Sequence, residues 1–531
     1  MRPREEAIAS MISEKTKRWT VLIIVATVMM MGYVFWDIVS PLSTTLKAPL
    51  SEGGMGWTAE EYGFYAGSYS IFNIFLLMLF IGGIILDKMG ISFTGLLATG
   101  MMMGGALINY YALAYLSPLQ YSHLHITLFS LIPADIKTQV LVSALGFGMF
   151  GVGCDMTGIT VSKIVTKWFT GHELASAMGI QVAMARLGTA SAISFSPLIA
   201  QQTGIASPFF VGALLLVMGF VLFIVYILMD RKHEAARQIA HQPAVPSNQP
   251  DEPSSQLGEP SSQLDEPSSQ LGEPSSQLGE PSSQLDEPSS QLNEPSSQSV
   301  ENTFHKKATQ TDEQGYTLRS CLVNLASNKG YWLIALLCVC FYSSLRPFLK
   351  FATDVLVNKY GIGEVTAGWI VSLLPYGTIV LTPLFGSLYD RIGRGATLML
   401  SGSILLTCCH VGLTLPWISA TWLATLIMIL MGVSFSLVPS AMWPSIPKIV
   451  PLQQLGTAYS IIYYIQNIGL MLVPMWAGNV IGRYTIAGHT DFTVPMFIFI
   501  GFGIASIILS SILLWADKKE HYGLEEANIK Q

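Results

Sequence analysis

Apolar runs of about 20 residues recur along nearly the whole chain, separated by short polar turns and, once, by a long polar stretch. Each run is long enough to cross roughly 30 Å of hydrocarbon as a helix. Twelve are read, at 20–42, 62–86, 91–116, 139–163, 173–200, 207–229, 328–352, 364–388, 396–415, 418–441, 453–480 and 491–515. In lipid a spanning segment must satisfy its own backbone hydrogen bonds, so these runs are predicted as helices and not as open strands. The long polar stretch divides them six and six. The pattern therefore predicts a polar, basic, frayed lead-in at 1–19 and a first half at 20–229. A linker at 230–327, a second half at 328–516 and a short charged tail at 517–531 follow. The expected fold class is all-α integral membrane, with twelve transmembrane helices in two pseudo-symmetric six-helix halves.

A short phrase closes the second helix of each half. The first copy runs Gly83-Ile-Ile-Leu-Asp87-Lys88-Met-Gly90, and the second Gly386-Ser-Leu-Tyr-Asp390-Arg391-Ile-Gly393-Arg394. A doubled membrane bundle is the usual build of a transporter. Glycines permit a tight turn, and an Asp there can meet a helix N-terminus or a base and latch one face of the bundle. A plain topological turn explains Lys88 and Arg391 but not the matched Asp, so the whole set is read as gating. The phrase resembles the loop motif of the major facilitator superfamily, which has Gly, Asp, base, Gly, base, base after helices 2 and 8. The first copy departs from it, with Ile91 and Ser92 where bases are usual.

Composition agrees with a membrane chain: 51% of the 531 residues are hydrophobic and 12% are charged, about half the charged share of a soluble protein. Basic residues gather before residue 20, in the linker, at the C-terminus and in the even-numbered loops. Odd-numbered loops hold only Lys47, Lys137, Lys359 and Arg483. This bias predicts cytoplasmic termini and a cytoplasmic linker, as an even helix count also requires. Cys154, Cys321, Cys338, Cys340, Cys408 and Cys409 form no metal set and no outer-loop pair, so free thiols are expected. The N-terminal apolar run is too long for a cleaved signal. Within the linker, Glu-Pro-Ser-Ser-Gln occurs seven times at a spacing of seven, from Glu252 to Glu294. A Pro in every copy breaks a coiled coil, so a disordered tether is expected rather than a docking array. In the 117–138 loop, His123 and His125 lack a third ligand, and a surface loop is expected there. Neither a nucleophile–base set nor a metal cluster appears; the chain is read as no enzyme, without cofactor or nucleic-acid partner.

Charges inside membrane helices are expensive and are site hypotheses by default. Asp155 falls in the fourth helix and Arg186 in the antiparallel fifth. Counted from their shared loop they differ by roughly 9 Å in depth at 1.5 Å per residue. Facing one cavity, they would hold a zwitterion: Asp155 the ammonium, Arg186 the carboxylate through a bidentate fork. The competing reading is a structural ion pair without a ligand. Asp37, beside Tyr33 and Trp36, faces either the cavity or the headgroups. Arg346 and Lys350 are cavity cations or snorkel to the surface. Tyr69, Asn73, Tyr342, Trp443, Tyr459, Gln466 and Asn467 are candidate lining.

A narrower resemblance rests on Gly151-Val-Gly-Cys-Asp155, Lys167-Trp168-Phe169-Thr-Gly171-His-Glu173-Leu174 and Ala183-Met184-Ala185-Arg186-Leu-Gly188. It continues in Met442-Trp443-Pro444, Gln454-Leu455-Gly456-Thr457-Ala458-Tyr459 and Ile465-Gln466-Asn467, with Tyr33, Asp37, Tyr69, Ser70 and Asn73 also fitting. These stretches resemble the lysosomal dipeptide transporter branch of the superfamily. The resemblance implies passage of dipeptides by alternating access, as uniport, with an acid in helix 4 and an arginine in helix 5 holding the peptide termini. Asp155 stands where the family has a longer glutamate, and Arg346 where it is apolar. The expected substrate site is Arg186, Asp155, Asp37, Tyr33, Tyr69, Trp443, Gln466 and Asn467, in a monomer embedded in a lipid bilayer. No dileucine sorting signal is found and the repeat linker has a bacterial look, so a bacterial inner membrane is expected. Two alternatives stand beside this: a proton-coupled symporter or antiporter of another small organic anion or drug, and a non-transporting sensor or scaffold.

Overall fold

The computed structural model describes residues 2–123, 133–169, 173–240, 318–417, 419–451, 454–486 and 489–527. It separates into one compact unit, Met1–Glu234 with Leu318–Gln531, and a second, Ala235–Thr317. The Glu-Pro-Ser-Ser-Gln repeats, His125 and the side chains of Asp87 and Cys321 lie outside the described residues.

The first half contains α1 (Arg2–Asp37), α2 (Ser43–Lys47), α3 (Ala59–Ser68), α4 (Ile71–Phe75), α5 (Met78–Tyr115), α6 (Thr138–Phe169), α7 (Leu174–Thr203) and α8 (Ser207–Ala240). After a short α9 (Leu318–Ser327), the second half contains α10 (Lys329–Tyr360), α11 (Glu364–Ile392), α12 (Gly395–Thr414), α13 (Thr421–Ile449), α14 (Leu455–Arg483) and α15 (Thr493–Glu520). Among the described residues, eleven helices are long and apolar enough to cross a membrane. The basic lead-in is helical and continuous with the first span, not frayed. Pro3, at the helix start, replaces an N–H that has no intrahelical acceptor anyway.

The second predicted span, 62–86, departs from expectation. It is built from α3, α4 and the first part of α5, with breaks at Tyr69–Ser70 and at Leu76–Leu77. Leu77 takes a left-handed conformation, φ 52°, which costs about 1 kcal/mol or more for a residue with a Cβ. Apolar patterning does not register such a break, because no proline or glycine marks it. Gly90, at φ 80° and ψ 175°, makes the turn that divides the second and third spans.

The halves meet through two helix pairs, α3 with α14 and α7 with α11. A Cβ on Gly63 would stand 2.5 Å from the Pro474 carbonyl oxygen, and one on Gly478 2.4 Å from that of Ala59. One on Gly368 would lie 2.8 Å from the carbonyl oxygen of Ile193. These contacts lie at the far end of the bundle, away from the chain termini. At the near end the same four spans leave open space beside Gly83, Gly179, Gly386 and Gly456.

The predicted charged tail is folded back along residues 521–527. Leu524 is fully buried, and its N–H donates to Asp517 at 2.9 Å. The Glu525 carboxylate caps α12, accepting from the Thr397 N–H at 2.9 Å and its hydroxyl at 2.7 Å. Lys448 of α13 donates to the carbonyls of Gly523 and Glu526 at 3.1 and 2.8 Å. In the 117–138 loop, β1 (Tyr121–His123) pairs antiparallel with β2 (Asp135–Lys137), and His123 bonds Asp135 across it. Among the described residues no group of side chains could hold a metal, and Cys154, Cys338, Cys340, Cys408 and Cys409 are free thiols.

Candidate functional site

The break in the second span aims two donors at the fourth. Tyr69 Oη donates to Asp155 Oδ1 at 2.7 Å, and Asn73 Nδ2 donates to Asp155 Oδ2 at 2.6 Å. The approach is possible because α6 presents glycines there. A Cβ on Gly151 would stand 2.0 Å from the Tyr69 carbonyl oxygen, and one on Gly148 3.1 Å from that of Ser68. Both Asp155 oxygens are engaged by neutral donors, and no cation contacts the carboxylate among the described residues.

Arg186, on α7, is half-buried. It makes no ion pair and no hydrogen bond among the described residues; its guanidinium lies 4.5 Å from the Phe435 ring centroid. The structural ion pair between Asp155 and Arg186, the competing expectation, is not formed. Tyr33 stands within electrostatic reach of Asp155, Arg186 and Arg346. Close packing of α1 on α7 brings Tyr33 there: a Cβ on Gly188 would lie 2.3 Å from the Met30 carbonyl oxygen and 3.1 Å from Tyr33 Cβ.

Asp37 is 2% exposed and faces the second half, not the headgroups. Lys350 Nζ donates to Asp37 at 2.8 Å and to the Trp36 carbonyl at 2.8 Å. Arg346 stands 3.9 Å from the other Asp37 oxygen. Neither Arg346 nor Lys350 snorkels; both are buried. The Arg346 guanidinium lies 5.0 Å from the Trp36 ring and 5.3 Å from that of Phe435. Trp36 in turn stacks flat on Tyr69 at 4.4 Å, 2° between planes. A small cavity is lined by Trp36, Asp37, Tyr69, Arg346, Lys350 and Pro474, among others. One continuous wall therefore carries Asp155, Tyr69, Trp36, Arg346, Phe435 and Arg186.

The remaining predicted residues sit on α13 and α14. Trp443 Nε1 donates to Tyr342 Oη at 3.3 Å, and the Trp443 ring lies 5.0 Å from that of Tyr463. Gln466 accepts from the Cys338 thiol at 3.5 Å. Asn467 accepts from Ser70 Oγ at 2.6 Å, a bond between the halves. Tyr342 is 5.9 Å from Phe435, which joins this aromatic group to the charged wall.

In the second gating turn, Gly393 and Arg394 take φ 66° and 60°, and the N–H groups of Arg394 and Gly395 donate to the Glu525 and Leu524 carbonyls at 3.0 and 2.8 Å. Asp390 is half-buried, while Lys88, Arg391 and Arg394 are exposed. At the far end, contacts that no sequence motif announced hold the halves together. Lys47 pairs with Asp354, Thr44 donates to Asp354 at 3.0 Å, Thr45 bonds Glu364, and Tyr62 Oη donates to the Lys350 carbonyl at 2.6 Å. Phe435 was likewise missed, being one of 25 phenylalanines with nothing to distinguish it.

A doubled helical bundle with charged groups buried between its halves is the build of a secondary membrane transporter. The chain belongs to the Major Facilitator Superfamily, whose family model matches residues 124–474 and 331–528. Among curated proteins it is similar to the lysosomal dipeptide transporter MFSD1 of Bos taurus, at 22% identity over 355 residues, covering 64% of this chain and 58% of that one. The Homo sapiens protein of the same name is 30% identical over 190 residues, 34% of this chain and 37% of that one. The chain thus matches well under two thirds of the length of these relatives. Solved structures share the fold. The inward open xylose transporter XylE from E. coli has TM-score 0.61 at 10% identity, over 94% of this chain and 95% of that one. A mutant of the peptide transporter POT has TM-score 0.57 at 13% identity, over 95% of each chain. The protein is a multi-pass membrane protein of that superfamily.

Proposed function

We propose that this transporter carries dipeptides or similar small zwitterionic solutes by alternating access, as a uniporter. The carrying observation is the pair of unlike charges around Tyr33. Asp155 is oriented by Tyr69 and Asn73 yet has no cation, and Arg186 has five donors and no acceptor among the described residues. Both are half-buried charges without an ionic partner among the described residues, and a ligand bearing both signs would satisfy both at once. A peptide ammonium suits Asp155 and a peptide carboxylate suits the Arg186 fork. Asp37, Tyr33, Tyr69, Trp443, Gln466 and Asn467 line the passage, and the two Asp-base turns gate its near end. The similarity to relatives named as dipeptide transporters supports the same reading.

The test is uptake of a labelled dipeptide into proteoliposomes. Arg186→Ala is expected to lower uptake at limiting substrate at least about tenfold, the worth of one charge-assisted contact. Undiminished uptake overturns the site assignment. A second reading, proton-coupled transport, is favoured by one observation: Asp155 is held only by neutral donors, so a proton arriving there displaces no ion pair. Uptake that responds to an imposed pH gradient supports this coupling, and indifference to the gradient supports uniport.

A further inference from the structure

The wall that carries Arg186 and Asp155 holds more positive than negative charge. Arg186, Arg346 and Lys350 face Asp37 and Asp155, and at their ordinary charges one cation is left over. Lys350 is not the surplus one. It is committed to Asp37 and to the Trp36 carbonyl, both at 2.8 Å. Arg186 has no ionic partner among the described residues and is the one assigned above to a peptide's terminal carboxylate. Arg346 has one ionic contact, at 3.9 Å to the Asp37 oxygen that Lys350 leaves free, and makes no hydrogen bond among the described residues. Arg346 is thus the cation left over once a zwitterion is bound. It is only 9% exposed, so water satisfies its five donors poorly. The nearby pair of Lys47 and Asp354 is balanced within itself and supplies no acid to Arg346.

The guanidiniums of Arg346 and Arg186 both lie against Phe435, 5.3 and 4.5 Å from the one ring centroid. They are therefore less than about 10 Å apart, within the span of one dipeptide, with an apolar ring beside both. Trp36 and Tyr69, stacked, connect Arg346 to the Asp155 side.

Resting on the dipeptide reading, we infer that Arg346 is a specificity-determining residue that selects dipeptides bearing a second carboxylate, those with an acidic side chain and a net charge of minus one. In this arrangement Asp155 receives the ammonium, Arg186 the terminal carboxylate and Arg346 the side-chain carboxylate. The bound solute then neutralises the whole wall.

The experiment compares alanyl-glutamate with its near-isostere alanyl-glutamine as competitors of labelled dipeptide uptake in proteoliposomes of the full-length protein. Alanyl-glutamate is expected to compete about tenfold better, the difference one charge-assisted hydrogen bond makes. Arg346→Gln is expected to abolish that preference while uptake of alanyl-alanine persists, and Arg346→Lys to restore part of it. Equal competition by the two peptides in the wild-type protein overturns the inference and leaves the dipeptide reading standing. So does a preference that survives Arg346→Gln, or an equal loss of both peptides in that variant. Uptake of no dipeptide at all by the wild-type protein overturns both.

Discussion

At the scale of single residues, the site is organised by who holds each buried charge. Asp37 and Asp155 are the same side chain in two situations. Asp37 is bound to Lys350 across the interface between halves and belongs to the far-end closure. Asp155 is held open by Tyr69 and Asn73 within one half and is available to a ligand. Their responses to substitution should differ. Tyr69→Phe removes one hydrogen bond to a charged acceptor, worth about 1.5–3 kcal/mol. It is expected to weaken dipeptide affinity about tenfold and to lower the melting temperature in detergent by less than Asp37→Asn does. Asp37→Asn strands the Lys350 ammonium, and breaking such a buried pair costs about 3–5 kcal/mol. Thermal unfolding should show that loss, and Asp37→Asn with Lys350→Met should recover most of it. A double variant no more stable than the single one would show that the pair is not the source.

At the scale of elements, the decisive feature is the discontinuity of the second span. Tyr69 and Asn73, four residues apart, both reach Asp155 from the broken stretch. The glycines of α6 let this stretch approach closely, at the Ser68 and Tyr69 carbonyls. Glycines also permit the closed end. Gly63→Val would push a branched side chain into the Pro474 carbonyl and the Gly478 backbone, which cannot yield. That variant is expected to favour the conformer parted at the far end, read as a longer distance between spin labels at Leu50→Cys and Gly363→Cys. The folded-back tail is a third device: it ties the end of α15 to α12 and α13. Glu525→Ala removes the cap of α12 and is expected to lower stability by about 1 kcal/mol, measured by thermal unfolding. Deleting residues 521–531 should lower it further, since Leu524 and the Lys448 contacts go as well.

At the scale of the whole molecule, the two halves meet along α3 with α14 and α7 with α11. Under the proposed alternating access by rocking of the halves, the contacts of Lys47, Thr44 and Thr45 with Asp354 and Glu364 would break and reform in each cycle. The repeat linker joins the halves in sequence and carries no apolar pattern. Deleting residues 251–298 is therefore expected to leave dipeptide uptake in proteoliposomes within about twofold of the full chain, as a tether long enough to remain slack would allow. Lost uptake would give the repeats a part in the transport cycle.

The amino-acid sequence by itself determined the membrane spans, their division into two halves and the doubled Asp-base turns. It also singled out Asp155, Arg186, Asp37 and Arg346 as charges in helices. All of these follow from local pattern, because an apolar run, a turn glycine or a charge inside lipid carries its meaning within a few residues. Only the tertiary structure decided that Asp155 and Arg186 have no ionic partner among the described residues, that Lys350 claims Asp37, and that Phe435 lies against two guanidiniums. Only it showed that the second span is broken and the tail folded back. Each of those outcomes depends on which helix faces which across hundreds of residues, and at that separation neither spacing nor periodicity says which donor reaches which acceptor.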